Sequence, residues 1–476
     1  MMNITIPQTD HIKILGVIID SKLNFIQHVK YVINKATKIF KNLCKFVRPT
    51  WGVHPENVDC IYRQVIVPII TYAAGIWGSA TRFYSVRQAL RSFQRNFAIR
   101  AIRGFHTISA VAALALAQFP PLHLIINETF EIHHIKQTGT CNELPDDITL
   151  YPKSKVRDLL HPANRVTIKY DEATTQEDTT ALINPDAPNI FTDGSKKEDG
   201  QAGASFVVML EGQPPIIKKF KLSRTASVFM CELYAITEAL RWLINSDSIE
   251  AVIFSDSQSS LKAIQNRSNT DPLVNQIHHM LSHLSSRHTK VQFVWAKAHV
   301  GIVGNELADA AAKEAAERKT ATLHNFFPLS HAKRLLRQRT LDAWQQEYVS
   351  APQGATTKSF FSSISEIAEF RKYIKISFTI TQILSGHGYH KTYLHKYRIT
   401  EDDRCPCDDE TPQDVRHLLE FCPIFFRTRE KYTMMCLKRK IEPFKMNTMT
   451  KSEDAIKYFT EHVNNIVTHL KQINGT

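Results

Sequence analysis

The pattern of apolar and polar residues is most regular between about residues 188 and 318, where short apolar runs alternate with segments of helical spacing. The predicted strands are Ile190–Thr192, Ala202–Leu210, Ile216–Leu222, Ala251–Phe254 and Val291–Trp295. The clearest predicted helix is Val228–Ile244, in which Leu233, Ile236, Leu240 and Leu243 fall on one face. Three successive strands followed by strand–helix alternation predict an α/β fold: a five-stranded mixed sheet with helices on its faces.

The flanking segments have a different pattern. Val29–Phe46 and Val86–Arg103 carry apolar residues at three- and four-residue spacing with Lys and Arg between them, which predicts basic helices. The stretch 141–187 is rich in Pro, Asp, Thr and Asn and has no sustained period, so a linker is predicted there. The chain beyond about residue 320 is predicted to be helical. The predicted domains are 1–140, the linker 141–187, 188–318, a helical segment 319–400, a cysteine-containing segment 401–424 and a helical tail 425–476.

Charge is distributed unevenly along the 476 residues, whose net charge is +13. Residues 1–130 hold fifteen Lys and Arg against five Asp and Glu, a net +10, whereas residues 188–318 are neutral. A basic flank beside a neutral domain suits a polyanionic partner such as nucleic acid. The alternative is that the charge only aids solubility.

Membrane and secreted classes are not favoured. No apolar run approaches the roughly 18 residues that span a bilayer, and the start, MMNITIPQTD, lacks a basic region followed by an apolar one. Five of the eight cysteines are scattered, as reduced thiols are in intracellular proteins. We expect an intracellular protein with no membrane partner; nucleus and cytoplasm are not distinguished.

Four acids interrupt the apolar pattern. Asp193 and Asp256 each follow an apolar strand run, so both are expected at strand ends, where open α/β sheets bind ligands. Glu232 lies in the first turns of the apolar helix, and Asp309 just inside the last helix. A single such acid could be a cap, a turn residue or half of an ion pair. Four that converge could not all stay ionised without a cation.

The ligand type indicates which cation to expect. Carboxylate oxygens without sulfur or imidazole favour a hard ion such as Mg²⁺ or Mn²⁺. A carboxylate cluster is also what two-metal phosphoryl chemistry requires. The four acids are therefore candidate magnesium ligands.

The sequence around these acids, TDGS, CELYAITEAL, FSDSQSSLKAI and WAKAHVGIVGNELADAAAKEA, resembles the type I ribonuclease H family over about 130 residues. The resemblance implies a five-stranded mixed sheet with flanking helices. It also implies that Asp193, Glu232, Asp256 and Asp309 bind two Mg²⁺ ions, and that His299 aids proton transfer or product release. The implied activity is endonucleolytic hydrolysis of the RNA strand of RNA–DNA hybrids. Taken alone, His299 would more often be a surface histidine, but its place beside the stretch 301–306, GIVGNE, favours a functional role.

One feature departs from the best-known bacterial members, which carry a basic helix and loop that grips the hybrid. Here Asp271–Arg287 holds one Arg and no Lys. Affinity for the substrate must then come from elsewhere, and the basic N-terminal segment is the obvious source.

The N-terminal segment contains KILGVIIDSKLNFIQHV, TYAAGIWGSA and RSFQRNFAIRAIRG followed by FPPLHL. These resemble the thumb and connection of reverse transcriptases from non-LTR (LINE-type) retrotransposons. The paired aspartates of the polymerase palm are not in this chain, so polymerisation is not predicted. The alternative for this segment is a generic basic helical bundle.

Three cysteines and a histidine cluster near the C-terminus: Cys405, Cys407, His417 and Cys422. Three thiols and one imidazole form a Zn²⁺ ligand set, although the first pair is spaced by a single residue. The alternative is buried cysteines that lie together by chance. The cluster resembles the zinc-knuckle-like tail of the same retroelement proteins, preceded by a GHG-type segment at Ser385–Tyr389, and this favours a structural zinc.

Two functions follow from these features. The first is a magnesium-dependent ribonuclease H in a retrotransposon-derived protein. The second is a catalytically inactive nucleic-acid-binding relic, against which the intact acid set argues. Cleavage of a hybrid with and without Mg²⁺ distinguishes them.

Overall fold

A computed structural model describes residues 9–48, 51–142, 144, 148–151, 159–298, 301–319 and 326–475. The chain divides into two compact units. One, the helical unit, combines the described residues up to His133 with those from Leu336 onward; the other, the sheet unit, is His134–Leu335.

The first part of the chain is a hairpin followed by helices. Its elements are β1 (His11–Ile14), β2 (Val17–Asp20), α1 (Ile26–Leu43), α2 (Pro55–Ile61), α3 (Val67–Thr71), α4 (Ala74–Trp77), α5 (Tyr84–Ala101), α6 (Ala110–Ala117) and α7 (Leu122–Thr138). A π-helical stretch, Tyr62–Ile66, joins α2 to α3, and a 3₁₀ turn, Gly78–Arg82, follows α4.

The middle part alternates strands and helices, as predicted. Its elements are β3 (Thr149–Leu150), β4 (Tyr170–Ala173), α8 (Gln176–Leu182), β5 (Asn189–Lys196), β6 (Ala202–Met209), β7 (Ile216–Leu222), α9 (Val228–Ile244), β8 (Glu250–Ser255), α10 (Gln258–Gln265), α11 (Pro272–Ser286), β9 (Lys290–Ala296), α12 (Val303–Glu317) and β10 (Phe326–Phe327). A 3₁₀ turn, Pro162–Asn164, lies before β4.

The last part is helical, again as predicted. Its elements are α13 (Leu329–Ser350), α14 (Ala355–Phe360), α15 (Ile364–Tyr373), α16 (Phe378–Ser385), α17 (Lys391–Lys396), α18 (Phe426–Lys438), α19 (Met446–Met449) and α20 (Glu453–Asn474). A π-helical turn, His417–Phe421, and a 3₁₀ turn, Pro423–Phe425, precede α18.

The main sheet is mixed, with strand order β4-β9-β8-β5-β6-β7. Strands β5, β6 and β7 form an antiparallel meander, while β8 and β9 add in parallel on the other side of β5. The buried run of β8 has apolar clusters on both of its faces, as expected of a central parallel strand. The predicted fold class is confirmed.

The sheet has six strands rather than the predicted five. The sixth, β4, pairs in parallel with β9 and lies in the stretch predicted to be a linker. Its sequence YDEA leaves Asp171 and Glu172 exposed, so it carries no apolar alternation. An edge strand is held by backbone hydrogen bonds to one neighbouring strand only. Because backbone bonds do not depend on the side chains, such a strand is hard to predict from the sequence of apolar and polar residues.

Arg165 fixes the approach to this extra strand. It is 3% exposed and donates hydrogen bonds to the backbone carbonyls of Leu160, Arg267 and Asn269 and to the side chain of Asn275. Much of the predicted linker is therefore an integral part of the sheet unit.

The helical unit has one core to which both ends of the chain contribute. Phe97 and Phe119 from the N-terminal part share a buried cluster with Ile367, Leu384 and Val463 from the C-terminal part. The segments predicted as separate helical regions are thus one packed body.

No single helix among the described residues is long and apolar enough to cross a membrane. The two pairs of helices that reach the required length together are bent by 52° and 62°.

Candidate active site and metal centre

Two of the predicted acids are placed by the register of two parallel strands. Thr192 on β5 pairs with Ser255, the last residue of β8. Asp193, the next residue of β5, and Asp256, the first residue after β8, therefore lie side by side where the parallel pairing ends.

The prediction that Asp193 ends its strand is wrong. Strand β5 continues to Lys196 because β6 pairs with it beyond the end of β8, with Asp193 opposite Ser205. The carboxylate is therefore carried by a hydrogen-bonded strand and not by a turn.

The third acid comes from a helix packed against that strand. Ser227 caps α9 by accepting a hydrogen bond from the Met230 N–H, and Glu232 follows in the first turns. A side chain at Gly194 would place its Cβ 2.4 Å from the backbone nitrogen of Glu232. Glycine at this position therefore permits the close approach of α9 to β5.

Asp193, Glu232 and Asp256 form one compact cluster. One carboxylate oxygen from each lies within 4.8 Å of the others. Asp193 and Glu232 are each 6% exposed, and Asp256 is half-buried. The Oε2 atom of Glu232 is buried and has no hydrogen-bond partner within the described part of the chain. An orphaned buried carboxylate oxygen facing two further carboxylates fits a cation site.

The electrostatics of the cluster point the same way. Burial, followed by the charges of Asp256 and Asp309, raises the pKa of Asp193 to about 7. Burial and the charges of Asp193 and Asp256 hold the pKa of Glu232 well above its usual range. Without a cation, the three groups resist being ionised together.

Asp309 lies near this cluster but is not one of the three acids whose carboxylate oxygens lie within 4.8 Å of one another. It is carried by α12, which packs on β5 and β6 and is pinned by a 2.6 Å hydrogen bond from Ser205 Oγ to the carbonyl of Ala308. Its carboxylate accepts a 2.7 Å hydrogen bond from Lys313 Nζ. The structure thus brings together three of the four predicted acids, with the fourth close enough to affect Asp193. His299 lies outside the described residues.

Lys313 is a site residue that sequence reasoning missed. Its charge lowers the pKa of Asp193, against the effect of burial. The spacing of four residues between Asp309 and Lys313 on a helix could have indicated this ion pair.

The predicted zinc ligands also come together, in the helical unit. One ligand atom from each of Cys405, Cys407, His417 and Cys422 lies within 4.8 Å of the others. Cys405 and Cys422 are fully buried and His417 is 7% exposed. The π-helical turn that begins at His417 is closed by a 2.7 Å hydrogen bond from the Cys422 N–H to the His417 carbonyl.

Two distances in this group fit a tetrahedral metal. The Sγ atoms of Cys405 and Cys422 are 3.8 Å apart, and Cys407 Sγ is 3.3 Å from His417 Nε2. For Zn–S bonds of about 2.3 Å and Zn–N bonds of about 2.0–2.1 Å, tetrahedral geometry requires about 3.8 Å and about 3.5 Å. The cluster is therefore a possible zinc site by composition and by spacing.

Comparisons with known proteins identify the family of one part of the chain. Residues 185–317 match the model of the RNase H family. The chain is 31% identical over 101 residues to a retrovirus-related Pol polyprotein from the type-1 retrotransposable element R1 of Bradysia coprophila, a match covering 21% of the chain and 10% of that protein. It is 27% identical over 129 residues to an R1 4 Pol polyprotein of Nasonia vitripennis, covering 26% of the chain and 32% of that protein. A putative 115 kDa protein in the R1DM element of Drosophila melanogaster is 24% identical over 119 residues, covering 25% and 12%. The matches span about a third or less of these relatives.

Proposed function

Since residues 185–317 are an RNase H domain, we propose that this chain cleaves the RNA strand of RNA–DNA hybrids internally, in a reaction that requires Mg²⁺. The observation that carries the proposal is the cluster of Asp193, Glu232 and Asp256, supplied by β5, α9 and the end of β8. Two separate strands and a helix converge on one point where three buried or half-buried carboxylates meet. Such an arrangement has no structural purpose without a cation.

These three residues would hold the divalent ions, with Asp309 as a further ligand. When bound, the ions supply an activated water and neutralise charge on the leaving oxygen. The protein itself contributes by holding these carboxylates in fixed positions. Asp193 is fixed in a paired strand, Glu232 in a capped helix, and Asp309 at 2.7 Å from Lys313. Lys313 forms an ion pair with the fourth carboxylate beside the cluster.

The substrate class follows from the family. An RNase H domain implies a nucleic acid substrate, and the 2′-hydroxyls of an RNA strand are what distinguish it from DNA. By resemblance, the products carry 5′-phosphate and 3′-hydroxyl ends. The ion would be Mg²⁺, with Mn²⁺ as a substitute of similar ligand preference.

Affinity for the hybrid would come from the helical unit, because residues 188–318 carry no net charge. Helix α1 exposes a row of lysines, none of which forms an ion pair with another described residue: Lys30, Lys35, Lys38 and Lys41. Lysines that neutralise phosphates release counterions and make binding depend on salt. We propose that α1 contacts the phosphate backbone of the substrate.

We also propose one structural Zn²⁺, held by Cys405, Cys407, His417 and Cys422. Thiolates and imidazole are softer ligands than carboxylates, so this site would select zinc where the acid cluster selects magnesium. Four protein ligands leave no open position for a reacting molecule. The zinc would therefore stabilise the helical unit and take no part in hydrolysis.

The test is incubation of the full chain with labelled RNA–DNA hybrid, DNA duplex and single-stranded RNA, each with Mg²⁺ or with EDTA. The proposal predicts cleavage of the RNA strand of the hybrid in Mg²⁺ alone. Binding of the hybrid without cleavage at any Mg²⁺ or Mn²⁺ concentration would support the inactive relic instead.

A further inference from the structure

A cavity of about 660 Å³ lies within the helical unit, far in sequence from the acid cluster. Its walls come from α14, from the turn between α16 and α17, from α17, from residues 414–420 on either side of the candidate zinc ligand His417, and from Phe444. The residues that matter to its chemistry are Ser359, Phe360, His387, Thr392, Lys396 and Arg416. Its volume is in the range of pockets that hold small organic ligands.

The cavity presents neutral polar groups. Nδ1 of His387 lies 2.9 Å from Thr107 Oγ1, which lies 2.8 Å from the hydroxyl of Tyr393. This chain of hydrogen bonds fixes the imidazole ring, while its Nε2 forms no hydrogen bond with any described residue. Burial and the charge of Lys396 lower the pKa of His387 to about 4, so the ring is neutral near pH 7. The hydroxyl of Thr392 is buried and unpartnered within the described ranges.

Two cationic side chains line the cavity, and part of its wall is aromatic. Lys396 is exposed, and the side chain of Arg416 is 75% exposed. Of the two acids that line the cavity, Asp414 is engaged by a 2.7 Å hydrogen bond from the His417 N–H, and Glu420 is 3.6 Å from Arg416. Phe360 and Phe444, both half-buried, supply apolar surface.

We propose that this cavity binds one unpaired nucleotide of a single-stranded nucleic acid. The base would lie against the aromatic surface and bond to Nε2 of the neutral His387 ring. Adjoining phosphates would meet Lys396 and Arg416. Stacking on aromatic rings combined with cationic contacts to the backbone is the general way in which proteins hold single strands. The site is separate from the acid cluster, so the proposal stands whether or not the sheet unit cleaves hybrids.

Filling the cavity tests the proposal directly. Ser359 is exposed and lines the cavity, and among the described residues its hydroxyl bonds to the carbonyl of Thr356 alone. Ser359→Trp should therefore occupy the space without disturbing the core. Ser365 is likewise an exposed helical serine, outside the cavity, and Ser365→Trp is the matched control. The probe is a fluorescein-labelled single strand of about ten nucleotides, as RNA and as DNA, bound to the full chain and measured by anisotropy. Ser359→Trp should weaken binding between roughly fivefold and a hundredfold, the range for loss of one stacked base.

A charge variant gives an independent readout that does not depend on packing. Lys396→Gln should lower the slope of log affinity against log salt by about 0.7, the value for one neutralised phosphate on a single strand. Lys457→Gln, an exposed lysine on α20 away from the cavity, should leave that slope unchanged. Unlabelled nucleoside monophosphates and blunt DNA duplex serve as competitors. The proposal predicts that neither displaces the labelled strand at concentrations where unlabelled single strand does.

Three results would overturn the proposal. The first is equal affinity of Ser359→Trp and Ser365→Trp for both strands, with both variants melting as the wild type does. The second is an unchanged salt slope in Lys396→Gln. The third is displacement by free monophosphates as effective as by the single strand, which would make this a site for a small nucleotide.

Discussion

Replacing Asp193 with asparagine is expected to stabilise the metal-free protein. The carboxylate is 6% exposed and lies within 4.8 Å of two others. Asparagine keeps nearly the same shape and removes the charge. The variant therefore removes the cost of burying this charge and its repulsion by the neighbouring acids, without creating a cavity.

The magnitude follows from the raised pKa of Asp193. Its folded-state pKa of about 7 lies above the ordinary value of 3.8, so the folded state binds the proton more tightly than the unfolded state does. The protonated carboxyl therefore contributes its full share of the unfolding free energy below pH 4, and this contribution is lost as the pH rises through 7. A difference of about three pKa units corresponds to about 4 kcal/mol of unfolding free energy above pH 7.

The assay is thermal unfolding of the full chain in EDTA between about pH 4 and about pH 8. At roughly 2–4 °C per kcal/mol, the sheet unit of Asp193→Asn should melt about 10 °C above wild type at the upper end and close to wild type at the lower end. Saturating Mg²⁺ should stabilise the wild type by about 2.7 kcal/mol at a hundredfold excess over its Kd. The variant should gain less, because it has lost a ligand.

Asp247→Asn is the matched control, since Asp247 is an exposed aspartate in the same unit. It should show neither the gain in EDTA nor a changed response to Mg²⁺. The reasoning is wrong if Asp193→Asn is no more stable than wild type in EDTA at high pH, or if Mg²⁺ stabilises both proteins equally.

Three further predictions concern other parts of the chain. Elemental analysis of protein purified without added metal should give one zinc per chain, lost in Cys407→Ser and retained in Cys60→Ser; zinc-free wild type with intact folding would contradict this. Replacing the four lysines of α1 named above with glutamine should lower the slope of log affinity for the hybrid against log salt. The decrease should be up to roughly 0.9 for each phosphate that is no longer neutralised. The same change at four exposed lysines near the C-terminus should leave the slope unchanged: Lys438, Lys451, Lys457 and Lys471. Arg165→Met should lower the unfolding free energy of the sheet unit by about 1–3 kcal/mol per carbonyl left unpaired, measured by denaturant unfolding, and an unchanged midpoint would show that Arg165 does not hold the segment in place.

The strand and helix pattern of residues 188–318 was predictable because each of these elements has its own apolar pattern. Helix α9 has Leu233, Ile236, Leu240 and Leu243 on one buried face, as the sequence predicted. The positions of Asp193 and Asp256 beside each other follow from two apolar runs becoming neighbouring parallel strands. The local sequence pattern was therefore sufficient to predict an element wherever that element carries a clear set of apolar residues.

Two features were not predictable from pattern, for physical reasons. Strand β4 is held by backbone bonds to β9 and by the buried Arg165, neither of which leaves an apolar signature. The core shared by the two ends of the chain depends on which apolar helix faces pack against each other. Periodicity identifies the apolar face of a helix but does not identify the helix that packs on it. For the same reason, deleting the N-terminal segment would expose the shared core, so charge removal on α1 is the cleaner test of substrate binding.

Single-turnover cleavage of an RNA–DNA hybrid tests most directly whether the carboxylate cluster is the active site. Wild type, Asp193→Asn and Asp256→Asn are compared, each at saturating enzyme with Mg²⁺. We expect the wild type to cleave the RNA internally, leaving 3′-hydroxyl and 5′-phosphate ends. We expect no cleavage by either variant, although both should bind the hybrid and melt cooperatively. Cleavage by either folded variant at the wild-type rate would show that this carboxylate cluster is not the active site.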